Sequence, residues 1–131
     1  MHTLLPSLTG IAGYLVLDGL WLGLLMSGFY RTQLGGLARV AGDRLAPNWY
    51  AAAVVYLLLG AGLAALVTSR ADSLTSAALT GAAFGLVVYG VYDFTNLSTL
   101  RDWPLFLTAV DVAWGTAASA LCAMVIWSVN R

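Results

Sequence analysis

Long apolar runs separated by short polar clusters organise the chain. Four stretches, 6–30, 48–69, 73–97 and 104–128, are each apolar over more than the roughly 20 residues that a helix needs to cross a hydrocarbon core of about 30 Å. Continuous runs such as AAAVVYLLLGAGLAALV at 51–67 lack the in–out alternation of a barrel strand, so the pattern predicts transmembrane helices. Local signals agree with those limits. Pro6, Pro47 and Pro104, the three prolines of the chain, stand at the starts of the first, second and fourth stretches, where a missing N–H costs nothing. Asp72 and Ser73 offer N-caps to the third.

The connections set the arrangement. SRAD (69–72) joins the second and third stretches and LSTLRD (97–102) the third and fourth, so these neighbours should form antiparallel hairpins. RTQLGGLARVAGDRLAP (31–47) is the one longer loop. Its Leu34, Leu37, Val40 and Leu45, interleaved with Arg31, Arg39 and Arg44, suit either a short interfacial amphipathic helix or a solvated loop. The expected fold is all-α: a single domain over 1–131, with four transmembrane helices in an up-down bundle.

Composition strengthens this picture. The chain is 60% hydrophobic and 9% charged, against about 25% charged in soluble domains, and its mean hydropathy is +0.84. Six Arg and six Asp, with no Lys or Glu, leave zero net charge and no basic surface for nucleic acid. Cys122 is the only cysteine, which excludes an internal disulfide and a thiolate metal cage. The first stretch is not read as a secretory signal, because no basic residue precedes it and Asp18 interrupts it. Arg31, Arg39, Arg44 and Arg101 fall on one side of the expected bundle, Arg70 and Arg131 on the other. The positive-inside rule then places the four-Arg side in the cytoplasm and both termini in the periplasm of a bacterial inner membrane.

Against this apolar background the acids stand out. Asp18 falls near the middle of the first stretch, while Asp93 and Asp111 lie about 6 and 10 Å inside the third and fourth, measured from the same face. An acid at such depth costs at least about 2.5 kcal/mol near a helix centre, which makes it a candidate site by default. Helical spacing supplies its surroundings: Tyr14, Asp18 and Trp21 share one face, Tyr89, Asp93 and Asn96 a second, Asp111 and Trp114 a third. Asp18, Asp93 and Asp111 are therefore the candidate ion or proton site, with Tyr14, Trp21, Tyr89, Asn96 and Trp114 as its lining. Arg31, Arg101 and Asp102 are candidates for contacts at the membrane edge, with Arg101 in reach of Asp93. No Lys, Arg or His lies within a stretch to neutralise three converging carboxylates, so a proton or a cation is the expected ligand. The competing reading is structural: protonated Asp with Tyr, Thr and Asn also serves as interhelical glue. Tyr30, Trp49, Tyr50, Trp103 and Trp127, near helix ends, read as interface anchors. G19xxxG23 and G81xxxG85 read as sites of close helix contact.

The blocks LDGLWLG (17–23), FYRTQLGGL (29–37), YGVYDFTNLSTLRDWP (89–104) and VDVAWG (110–115) resemble the bacterial membrane-protein family known as domain of unknown function 2177. The resemblance covers nearly the whole chain. It implies a small four-helix inner-membrane protein and brings no established activity.

Other chemistry finds no footing. HExxH, Cys/His metal spacing, a phosphate-binding glycine loop and GxSxG are all absent, so no cofactor or metal is expected. Three functions fit: proton- or cation-coupled transport of a small or apolar solute, with a homodimer enclosing the path; lipid modification by a membrane-embedded enzyme or accessory factor; and a structural or assembly subunit.

Overall fold

The computed structural model describes residues 2–131. Four helical segments, Leu4–Leu25, Trp49–Arg70, Leu74–Thr99 and Leu105–Val129, are long and apolar enough to cross a membrane. The protein is a membrane protein built from them. Their starts follow the capping signals. The Asn48 side chain accepts a hydrogen bond from the Ala51 N–H at the head of α3 (Trp49–Arg70). Ser73 and Ser76 form a reciprocal capping box at the head of α4 (Leu74–Thr99), satisfying two N–H groups that would otherwise lack partners. Pro104 occupies the N-cap of α5 (Leu105–Val129).

The first segment departs from a simple rod. Regular α-helix α1 runs Leu4–Leu20 and passes into a π-helical stretch over Trp21–Leu25. There the Met26 N–H reaches the Trp21 carbonyl at 2.7 Å, five residues back. Met26 itself leaves helical geometry (φ −124°, ψ 13°), and α2 (Ser27–Leu34) sets off afresh. The continuous helix expected over 6–30 is therefore broken, and the apolar span ends at Leu25.

Beyond α2 the chain forms neither the amphipathic helix nor the plain loop expected of 31–47. A 3-10 turn at Gly35–Leu37 leads into a two-residue hairpin, β1 (Val40–Ala41) paired antiparallel with β2 (Arg44–Leu45). Gly42 sits at its turn with φ +63°, a conformation that glycine adopts without steric cost. The Arg31 guanidinium donates to the Asp43 carbonyl and ties α2 to the hairpin.

Small residues let the long helices approach. Gly10 faces the Gly60 backbone between α1 and α3, and Gly81 and Gly85 on α4 lie against Ser119 and Gly115 on α5. The expected contact at G81xxxG85 is thus made. G19xxxG23 is a correction, since a Cβ at Gly19 or Gly23 would have nothing within 4 Å. The core between the helices holds Tyr14, Leu59, Leu63, Val67, Cys122 and Ile126. Leu15, Leu58, Leu79, Val87 and Val125 are exposed, as a lipid-facing surface requires.

Candidate functional site

Helix ends determine depth. Asp18 stands seven residues before Leu25, Tyr56 seven after Trp49, Asp93 six before Thr99 and Asp111 six after Leu105. At ~1.5 Å per residue each lies about 9–10.5 Å along its helix from the nearer end. Asp18 therefore lies nearer its helix's end than the middle position read from a 6–30 helix, because that helix stops at Leu25.

Asp18 is well satisfied. Its side chain is 7% exposed. Trp114 Nε1–H donates to Oδ1 at 2.8 Å, and the Tyr56 hydroxyl donates to Oδ2 at 3.1 Å. The Trp114 indole lies flat on that of Trp21, with centroids 4.3 Å apart and an interplanar angle of 1°. The second tryptophan carries the network onward. Trp21 Nε1–H donates to the Tyr30 hydroxyl at 3.1 Å, and that hydroxyl donates to Asp111 Oδ1 at 2.7 Å. Asp111 in turn adjoins Asp93 across the α4–α5 contact.

Asp93 is the exception. It is 0% exposed, and neither carboxyl oxygen meets a hydrogen-bond donor. Gly85, two turns before it, brings α4 onto α5 at Gly115, one turn after Asp111. The Tyr89 ring covers Gly115 where any Cβ would collide with it. This close approach sets Asp93 in the helix interface rather than toward lipid. Two adjoining carboxyls without a donor between them can be reconciled by one proton: a protonated acid donates and its ionised neighbour accepts.

Of the residues singled out from sequence, the structure joins Asp18, Trp21, Asp111 and Trp114 in one hydrogen-bonded and stacked array, with Asp93 beside Asp111 but outside the hydrogen bonding. Tyr89 lies beside it on Gly115, and Asn96 lies next to Tyr92 on the following turn of α4. Tyr14 does not line the site. Its hydroxyl pairs with Ser119 Oγ at 2.5 Å inside the core. Helical side chains lean toward the N-terminus, so the tip of a Tyr four residues before an Asp points away from that Asp. Arg101 and Asp102 are exposed in the α4–α5 turn. Both Asp93 oxygens lack a donor, so the anticipated Arg101–Asp93 pair is not formed. Arg31 serves the hairpin instead.

Two members escaped the sequence reading. Tyr30, expected as an interface anchor, is 6% exposed and bridges Trp21 to Asp111. On an unbroken α-helix it would point about 180° away from Trp21; the π-helical stretch and the break at Met26 bring the two together. Tyr56 carried a readable signal, as the lone hydroxyl inside the apolar run 51–67. The stretch YDFTNLSTLRDWP closes the rim: Trp103 meets Tyr92 edge to face at 6.0 Å, and its Nε1–H donates to Thr108 at 3.0 Å.

A family described as predicted membrane protein (DUF2177) matches residues 4–128, which include every residue of the array. The chain belongs to the DUF2177 family. Neither a curated protein nor a solved structure matches it. The DUF2177 chain thus joins Asp18 and Asp111 through two tryptophans and a tyrosine, with Asp93 next to Asp111. Among its described residues no three His, Cys, Asp or Glu side chains group as a metal site.

Proposed function

We propose that this DUF2177 protein is a small proton- or cation-coupled carrier of a small or apolar solute, working in a bacterial inner membrane through Asp18, Asp93 and Asp111. Asp93 carries the reading, being fully buried, beside a second acid and without a donor. An ionised carboxylate left unpaired in such a place costs several kcal/mol, so a proton or cation must complete the site. Interhelical glue explains the two hydrogen bonds that Asp18 accepts; it does not explain an unpartnered Asp93. The array lies toward the side holding Arg31, Arg39, Arg44 and Arg101, which the positive-inside rule makes cytoplasmic, with both termini opposite. Four helices leave little room for a path, and a second copy of the chain supplies the other wall.

A lipid-directed role is the second reading. It draws on an apolar groove of about 570 Å³ between α4 and α5, lined by Leu86, Phe94, Leu105, Thr108 and Val112, of which Phe94 and Val112 are the chain neighbours of Asp93 and Asp111. Such a groove suits an acyl chain, although neither acid lines it. The two readings separate in proteoliposomes under an imposed pH gradient. The carrier reading expects proton flux that Asp18→Asn and Asp93→Asn abolish while both variants remain folded. Equal flux in both variants and the native protein would overturn it. An altered lipid profile in a deletion strain that Asp93→Asn fails to restore would support the lipid reading instead.

A further inference from the structure

Resting on that reading of the acids as a working site, we propose that its ligand is a proton shared between Asp93 and Asp111, and that Tyr30 transmits the occupancy of this pair to the π-helical break at Trp21–Met26. The donor set argues for a proton over a hard cation. Calcium takes six to eight oxygen ligands and magnesium six in near-octahedral order. The pair offers two carboxyls and the Tyr30 hydroxyl, which is already committed as acceptor from Trp21 and donor to Asp111. One proton satisfies the geometry: Asp93 O–H donates to the free oxygen of Asp111, whose Oδ1 takes the bond from Tyr30.

The groups facing the pair are Asp18 from α1, Tyr30 from α2 and Tyr89 and Tyr92 from α4. From α3, Tyr56 lies on the far side of Asp18, to which it is bonded; α5 contributes Asp111 itself. Tyr30 alone among them donates to the pair, and it alone sits beyond a backbone discontinuity. Asp93 is fixed in the α4–α5 interface, two turns beyond the contact of Gly85 with Gly115. Residues 21–25 hold a wider helical turn, and Met26 lies outside helical geometry, which makes this segment the compliant partner. While Asp111 is ionised, the bond from Tyr30 is charge-assisted and tethers α2. When the pair takes up a second proton, the acceptor of the Tyr30 bond becomes neutral and the tether weakens.

The test uses the full chain in lipid nanodiscs, in a Cys122→Ala background carrying Gly28→Cys. Gly28 is exposed and has open space around it. Labelling by a membrane-impermeant maleimide, corrected for thiolate fraction, is followed against pH alongside the infrared carboxyl band. The expected result is a labelling rate about fivefold faster on the acid side, the ratio separating hydrogen bonds to charged and neutral acceptors. Its midpoint should coincide with that of the carboxyl band. In Tyr30→Phe the band still titrates while labelling is flat; in Asp93→Asn, whose amide imitates the protonated acid, the shared-proton band is lost. Trp21→Phe, which keeps an aromatic ring on Trp114, should lower the amplitude in a variant that folds even if Tyr30→Phe does not. A titrating band with flat labelling in the native protein would overturn the coupling and leave the proton site standing. No titrating carboxyl, or a band displaced by sodium or calcium at constant pH, would overturn the shared proton, and the absence of both responses would overturn the working site as well.

Discussion

Asp18 offers the sharpest energetic test, because each of its oxygens has one donor and each donor can be removed without removing the acid. Tyr56→Phe deletes the hydroxyl 3.1 Å from Oδ2, and Trp114→Phe deletes the N–H 2.8 Å from Oδ1. Net contributions of bonds to charged groups run about 1.5–3 kcal/mol, while polar bonds measured inside membranes average nearer ~0.6 and reach ~1.7. We therefore expect a loss of about 1–2 kcal/mol from Tyr56→Phe. Trp114→Phe should cost somewhat more, since the smaller ring keeps only part of the stack on Trp21, a contact worth about 0.5–1.5 kcal/mol when whole. The double variant leaves a carboxyl that is 7% exposed with no donor, the condition Asp93 already has. Its loss at alkaline pH should exceed the sum of the single losses by about 1–3 kcal/mol, the cost of an orphaned buried acceptor. That excess should disappear as the pH is lowered and Asp18 takes up a proton. Unfolding titrated with dodecyl sulfate and followed by circular dichroism, at several pH values, measures all four corners of the cycle. Simple additivity at every pH would refute the assignment of Tyr56 and Trp114 as the donors that satisfy the two oxygens of Asp18.

Three further expectations follow from the packing, the helix break and the capping. Gly85→Ala and Gly115→Ala each drive a Cβ into a neighbour, the Gly115 backbone in one case and the Tyr89 ring in the other. They should cost about 3 kcal/mol or more in the same unfolding assay, whereas Gly19→Ala, with open space around it, should be neutral or slightly stabilising. Deleting Leu24 should convert the π-helical turn to α-helix and rotate Tyr30 by about 100°. The protein should still insert and fold but lose the Tyr30–Asp111 bond, read as a changed Asp111 environment in ¹³C-carboxyl spectra. At the opposite end of α4, Ser73→Ala should cost about 1 kcal/mol by removing the cap and leave proton flux unchanged. There, hydrogen bonds from Ser76 and then Ser73 hold exposed Asp72 below the usual carboxylate range. Its small contribution is present above the unfolded value and fades as pH falls through the folded one. Ser76→Ala should flatten that dependence.

Much of the fold was legible because it rests on hydropathy and local capping. The apolar lengths, the three prolines and Ser73 located all four spans to within a few residues, and the resemblance carried by YDFTNLSTLRDWP and VDVAWG led to the right family. The acids and both tryptophans of the array were legible too, since a charge in an apolar run and an i, i+3 spacing survive any arrangement of neighbours. What failed depended on departures from regular geometry. WLGLL carries no proline or other marker of a π-helix, and projection onto a straight helix sends Tyr30 to the wrong face. Tyr14 shares the face of Asp18, yet the lean of helical side chains carries its hydroxyl to Ser119. The pairing of Asp18 with Tyr56 and Trp114, from helices remote in sequence, is a tertiary outcome that no local pattern encodes.

The proton of Asp93 is central to the proposed site. ¹³C-carboxyl aspartate resonances of the protein in lipid at neutral pH, assigned by single Asn substitutions, measure it directly. Asp93 should resonate as a protonated acid with a correlation to Asp111, and Asp18 as a carboxylate. Three ionised carboxylates, or a protonated Asp18 beside an ionised Asp93, would contradict it.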